Sequence, residues 1–263
     1  MSSAPIATSA ERHGAALSRA VARLRSEPRP RLRLICFPHV GAGAAVFRTW
    51  ISHLPPEVDL YAVRAPGREN RVTEPLATNG HVLLEALAPD LEPLLEVPFV
   101  IVGHCSGSVL AYEYARMLRA VAGPEPVELV LSSAEGPKVR KLEDPPLHRL
   151  GGATLLERVV AYGGMAPQVL DDPQLMSMYE RILRADYQAV ETLSYSPGPA
   201  LEIPLTVLGG RRDEFVSPES MAAWSAETTG RFSLRLLDGP HFILAEAGVE
   251  IGLIAERLVG GAV

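Results

Sequence analysis

The chain has 263 residues, a length that suits one large α/β domain or one domain carrying an insertion. Apolar residues make up 47% of it, enough for a substantial core, yet no apolar run approaches the roughly 20 residues of a membrane span. A formal net charge of −6 gives no electrostatic footprint for nucleic acid.

Residues 1–30, rich in Ala, Ser and Arg, read as an N-terminal extension without the apolar block of a secretory signal. An amphipathic helix is expected there, using Leu17, Val21 and Leu24. From residue 31 to 263 the text reads as one α/β domain. Strands are expected at 33–37, 58–63, 98–102, 127–131, 204–208 and 232–237, short apolar runs that suit parallel strands covered on both faces. Helical patterns fall between them: 81–95, which Pro89 and Pro93 should kink or divide, then 108–121, and finally 242–259 before Gly260 and Gly261. This alternation predicts a mostly parallel sheet with helices on both faces.

One interval breaks the rhythm. Roughly 70 residues separate the strand ending near Ser133 from the one starting at Pro204, too many for a simple crossover. Helices are expected within it at 153–162 and 173–192, and residues 137–200 read as a lid over the sheet's C-terminal edge. Its apolar residues Leu155, Leu156, Met165 and Met176 either gauge a ligand or simply pack.

The most informative stretch is Gly103-His104-Cys105-Ser106-Gly107, set between an expected strand and an expected helix. Strand, sharp turn with flanking glycines, then helix is the setting of a nucleophile elbow, normally written G-x-S-x-G. Here the central position is Cys105. The ordinary alternative for a lone cysteine is a small buried core residue, but the paired glycines argue for an exposed turn. The first N–H groups of the following helix are free donors at a positive dipole end, a setting that favours a thiolate. Ser106 and Ser108 are rival nucleophiles that lose the glycine frame.

A nucleophile needs a base and an orienting acid, which in this type of fold follow it in chain order. Only His148 and His241 lie downstream of Cys105. His148 falls in the lid, whereas His241 follows an expected strand end and is the expected base. Asp213, after Leu208-Gly209-Gly210, is the expected acid, with Asp238 as its rival. The oxyanion hole needs two N–H donors. Ser106 N–H should supply one, and Val40 N–H, in the Pro38-His39-Val40-Gly41 loop, the other.

Arginines cluster at Arg64, Arg68 and Arg71 and at Arg211 and Arg212, either as a solvated face or as a surface for an acidic group such as phosphate. The seven histidines show no His-x-x-x-His spacing and the two cysteines no Cys-x-x-Cys, so no metal site is expected. Cys36 and Cys105 do not make a disulfide framework, and a reactive thiol needs a reducing, cytoplasmic compartment.

Several separated motifs then resemble one family, the stand-alone (type II) thioesterases that serve nonribosomal peptide and polyketide synthases. They are Cys36-Phe37-Pro38-His39, Pro66-Gly67-Arg68-Glu69, the elbow running into Leu110-Ala111-Tyr112-Glu113, Leu183-Arg184-Ala185-Asp186-Tyr187, Leu208-Gly209-Gly210 with Asp213, and Gly239-Pro240-His241-Phe242. The resemblance implies a monomeric α/β-hydrolase with a mobile lid and no cofactor. Its substrate would be an acyl group on the phosphopantetheine arm of an acyl or peptidyl carrier protein. Two departures stand out. Cys105 replaces the family's serine, and Ser132-Ser133-Ala134-Glu135-Gly136-Pro137 stands where the family usually shows Ser-Gly-Arg. An acyl-cysteine is itself a thioester, so two reactions remain open: hydrolysis, or an acyltransferase that passes the acyl group to a second carrier, an amine or a hydroxyl. A carrier-binding protein without catalysis is a third, weaker reading.

Overall fold

The short apolar runs pair into one sheet in the computed structural model, which describes residues 18–165, 169 and 171–261. The strands are β1 (Val21–Arg25), β2 (Leu32–Phe37), β3 (Val58–Val63), β4 (Phe99–His104), β5 (Glu128–Ser132), β6 (Leu205–Gly210) and β7 (Phe232–Leu237). Their spatial order is β1-β3-β2-β4-β5-β6-β7, and every pairing is parallel except that of β1 with β3. The helices are α1 (Gly80–Leu91), α2 (Ser106–Ala120), α3 (Gly152–Ala161), α4 (Pro173–Glu191), α5 (Pro218–Ala222) and α6 (Leu244–Gly260). This is the α/β-hydrolase arrangement.

Strands β2 to β6 are buried along their whole length because successive side chains enter two different cores. On β2, Ile35 and Phe37 join Leu84, Leu87 and Tyr114 beneath α1 and α2. Leu34 and Cys36 point the other way, into Phe47, Trp50, Ile251 and Ile254 beneath α6. The second core also uses a 3-10 segment, Ala44–His53, that the sequence pattern did not suggest. Its buried residues, Ala44, Phe47 and Trp50, recur every three positions, the period of a 3-10 helix. As anticipated, the region 81–95 divides: α1 ends at Leu91, and Pro93 sits in the first turn of a 3-10 segment, Glu92–Glu96.

The helix expected around Leu17, Val21 and Leu24 is corrected where it can be followed. Residues 21–25 form β1, and the rest of the segment before residue 18 lies outside the described residues. Strand wins over helical spacing because β3 offers an open edge. Val21 pairs with Val63 and reaches one core, while Ala22 pairs with Ala62 and reaches the other. The sheet thus begins before residue 31.

From β2 the chain steps one way to β3 and then returns to the far side of β2 as β4. That reversal opens a crevice at the carboxyl ends of β2 and β4, the place where open α/β sheets put their ligands. Both expected loops, 38–43 and the elbow at Cys105, start there. Helices α3 and α4 lie across it with their own apolar cluster of Leu147, Leu155, Leu156, Val159 and Leu183. Leu155, Leu156, Met165 and Met176 all pack in this cluster rather than lining the cavity. Among the described residues no helix is long and apolar enough to cross a membrane.

Trp50 anchors the α6 side. It is 1% exposed, meets Phe47 edge-on at 4.7 Å between ring centroids and donates its indole N–H to Leu244 O at 2.7 Å. Trp50→Ala should cost about 3–5 kcal/mol in urea denaturation. A loss below about 1 kcal/mol would show that this face contributes little to stability.

Candidate active site

The turn at Cys105 is strained. Its φ of 52° and ψ of −123° lie outside the regions that side-chain-bearing residues normally occupy. The neighbours make that turn possible by close approach. A Cβ on Gly103 would stand 2.4 Å from Ser108 Cα, and one on Gly107 would stand 2.2 Å from Phe37 O. Only glycine allows β4, α2 and the end of β2 to meet so tightly. Cys105 N–H donates to Ser132 O at 2.7 Å, and Ser108 N–H donates to Cys105 O at 2.9 Å, which pins the turn on both sides.

The structure brings Cys105, His241 and Asp213 into one chain of contacts. His241 Nε2 lies 3.2 Å from Cys105 Sγ, and His241 Nδ1 lies 2.8 Å from Asp213 Oδ2. Asp213 and His241 follow β6 and β7, which run side by side with Gly210 opposite Leu237. The other Asp213 oxygen accepts N–H bonds from Phe215 at 2.9 Å and Val216 at 3.0 Å. Ser133, whose φ is also positive at 50°, donates its hydroxyl to His241 O at 2.6 Å and fixes the His241 backbone from behind. Nothing in the sequence singled out that serine.

The rivals lie elsewhere. Asp238 is 79% exposed on its side chain and pairs with Arg212. His148 is held by Glu191 at 2.6 Å. Arg64, Arg68 and Arg71 are not a free cationic surface: they pair with Glu69, Asp186 and Glu74. Arg140, in contrast, reaches the cavity from the loop after β5, where the expected Ser-Gly-Arg was missing. Among the described residues its guanidinium has one hydrogen-bond acceptor, Val190 O, at 3.3–3.4 Å.

Of the two N–H donors named from the sequence, Val40 N–H points into the site and donates to Ser106 Oγ at 2.7 Å. Ser106 opens α2, so its own N–H is one of the first-turn groups without a helical acceptor. A cavity of about 460 Å³ lies over these groups, walled by Val40, Cys105, Tyr187, Phe215, His241 and Phe242 among others. Among the described residues no group of three or more His, Cys, Asp or Glu side chains is placed to hold a metal.

Charge is unevenly distributed among the buried imidazoles. For His241, burial alone would lower the pKa, but the Cys105 sulfur and the Asp213 carboxylate outweigh it and raise it to about 10. Asp213 is held below the usual carboxylate range: burial opposes this, and His241 and the two backbone N–H groups prevail. His104, fully buried with Nδ1 2.5 Å from Ser132 Oγ, is pushed down by burial and by its neighbours His39 and His241.

His39 lies 5.4 Å from His104 between ring centroids. Burial, then His241 and Arg68, lower it to about 4. An unfolded imidazole titrates near ~6.5, so between these values the unfolded chain holds the extra proton. The contribution is therefore full above about pH 6.5 and disappears as pH falls towards about 4, on the order of 3 kcal/mol for this residue. In His39→Gln, urea midpoints should fall less steeply over that acid window than in the parent protein. An unchanged slope would remove His39 as its source.

Comparison with known proteins identifies the family. A family model described as a thioesterase domain matches residues 32–257. The gramicidin S biosynthesis protein GrsT of Aneurinibacillus migulanus is 32% identical over 221 residues, which cover 84% of this chain and 86% of GrsT. Thioesterase PikA5 of Streptomyces venezuelae is 32% identical over 232 residues, 88% of this chain and 82% of PikA5. The solved structure of RedJ, a thioesterase from the prodiginine pathway of Streptomyces coelicolor, matches with a TM-score of 0.80 at 32% identity, over 88% of this chain and 94% of RedJ. The type II thioesterase BorB, from the borrelidin biosynthetic cluster, matches with a TM-score of 0.82 at 32% identity, over 91% and 97%. With its model spanning nearly the whole described chain, the protein belongs to the thioesterase family and is an enzyme of the thioester-hydrolase class.

Proposed function

We propose that this thioesterase releases acyl groups from the phosphopantetheine arm of carrier proteins in a nonribosomal peptide or polyketide pathway, through a covalent acyl-Cys105 intermediate. The relatives support the pathway, since GrsT belongs to gramicidin S biosynthesis and RedJ and BorB to the prodiginine and borrelidin systems. One observation carries the chemistry: a cysteine sulfur sits 3.2 Å from an imidazole nitrogen on the wall of the cavity.

In this scheme the Cys105 sulfur attacks the thioester carbonyl, and the carbonyl oxygen becomes negative. Val40 N–H and Ser106 N–H receive that charge. Ser106 Oγ is the present acceptor of Val40 N–H, so the arriving oxygen takes its place and the hydroxyl turns away. Collapse breaks the bond to the pantetheine sulfur, which leaves with the proton held on His241 Nε2. His241 then removes a proton from water, whose oxygen attacks the acyl carbon. The bond to Cys105 breaks, the acid departs, and the sulfur–imidazole pair returns to its starting state. Asp213 holds the Nδ1–H tautomer and supports the imidazolium. No cofactor enters the scheme.

The sulfur itself favours a second reading. Transfer from a pantetheine thioester to Cys105 exchanges one thioester for another, so it is close to thermoneutral and the acyl group stays activated. An acceptor other than water then makes the protein an acyl shuttle.

An acylated carrier protein, followed by mass spectrometry with and without a second carrier or an amine, separates the two. Free acid without an acceptor supports hydrolysis, whereas an acyl-enzyme discharged only by the acceptor supports transfer. Cys105→Ala should show no acylated mass and lose about 10³-fold or more in turnover. An acylated Cys105→Ala would refute the covalent step. Cys105→Ser should lower carrier-to-carrier exchange, because its oxygen ester lies downhill of the donor thioester; unchanged exchange would mean that sulfur has no special role.

A further inference from the structure

The donor-bearing loop is held by the lid rather than by the sheet. His39, Val40, Gly41 and Ala42 form a tight turn closed by Ala42 N–H donating to His39 O at 3.1 Å. Gly41 has φ +80°, the type II signature at the third turn position, and a type I turn would need its central peptide flipped. Each N–H of the turn after His39 is spoken for: Val40 to Ser106 Oγ, Ala42 to His39 O, and Gly41 to Asp186 Oδ2 at 2.8 Å. Asp186 comes from α4. The same helix presses on the turn from above, since a Cβ at Gly41 would stand 2.7 Å from Leu183 Cδ2. The Val40 side chain packs against the apolar cluster of α3 and α4.

Arg68 holds the carboxylate. Its two terminal nitrogens reach the two Asp186 oxygens at 2.7 and 2.6 Å, a fork-on-fork pair in which Arg68 is 8% exposed. One of them also donates to Ala42 O at 3.0 Å, so a single guanidinium grips both the helix and the turn. The sequence supplied both partners inside quoted motifs, Pro66-Gly67-Arg68-Glu69 and Leu183-Arg184-Ala185-Asp186-Tyr187, but gave neither a task.

We propose that Asp186, braced by Arg68, is a positioning residue for the oxyanion donor Val40, so that docking of α4 assembles the charge-stabilising half of the site independently of the sulfur–imidazole half. This rests on the reading that Val40 N–H serves the developing oxyanion. The two halves have separate readouts. Thioester turnover needs the donor turn, whereas alkylation of Cys105 by iodoacetamide passes through no oxyanion and needs only the sulfur and His241.

The test compares wild type, Asp186→Asn and Arg68→Lys, each first checked by thermal melting, on an acyl N-acetylcysteamine thioester and on iodoacetamide. Asp186→Asn should lower kcat about 10–100-fold, below the ~10²–10³-fold cost of losing a donor outright, with KM within about twofold. Its alkylation rate should stay within about twofold of wild type. Arg68→Lys keeps the charge and loses the fork, so kcat should fall about fivefold or more with alkylation again unchanged. If Asp186→Asn does not fold, Arg68→Lys decides alone. Unchanged kcat, or alkylation falling in step with turnover, overturns the proposal. Val40→Pro keeps the type II turn and removes the donor itself. Unchanged kcat there would overturn the reading of Val40 N–H as an oxyanion donor. If kcat is lost there but kept in Asp186→Asn, only the positioning role is overturned, so the two failures are told apart.

Discussion

A cysteine held at φ 52° is the constraint from which the rest of the site follows. Such a backbone costs an L-residue on the order of 1–3 kcal/mol, and it persists only where the surroundings over-determine it. Here β4 runs straight into the turn, α2 starts one residue later, and two glycines let strand, helix and the Phe37 carbonyl close to within contact. Cys105, the helix N-terminus and the start of the 38–43 loop are thereby fixed to one another as a unit. His241 and Asp213 arrive separately, from the ends of β7 and β6. Their alignment depends on parallel pairing across the sheet and on Ser133, which holds the His241 carbonyl.

Three histidines gather within a few ångströms and meet opposite electrostatic fates. His39 and His104 lose their surroundings' support for charge because they are buried beside other imidazoles. His241 is buried too, yet a sulfur on one nitrogen and a carboxylate on the other reverse the outcome. Burial alone does not decide protonation; the identity of the second neighbour does. These two rings pack with Phe242 near the His241 imidazole.

Much of the fold was legible because its signals are local. Strands at 58–63 and 232–237 fall where short apolar runs placed them, and Pro93 marks the break after Leu91. The contacts of Cys105, His241 and Asp213 could be anticipated from chain order and from positions after strands. What escaped was non-local. Val21 and Leu24 sit at helical spacing, and only the free edge of β3 makes that segment a strand. The Ala44–His53 segment has a three-residue period that a search for 3.6 passes over. Asp186 and Gly41 are 145 positions apart, and no pattern along the chain links them before the helix is laid over the loop. The cap before α5 was readable and unused: Ser217 accepts Ser220 N–H, with Pro218 at the first helical position.

Around the imidazole stands a collar of rings. Tyr162 meets Phe215 at 4.4 Å, Phe215 meets His241 at 5.8 Å, and Phe242 lies 5.1 Å from the same imidazole on another side. Such a hedge lowers the local dielectric and strengthens every charge contact within it. It also leaves His241 only 6% exposed, beside the Cys105 sulfur at 3.2 Å. Since Tyr162 follows α3 and Phe215 follows β6, their contact ties the covering helices to the sheet at the wall of the cavity. Enclosure of the sulfur and its imidazole is thus a joint property of two layers, so any shift of the covering helices against the sheet changes the polarity around His241 together with the shape of the cavity.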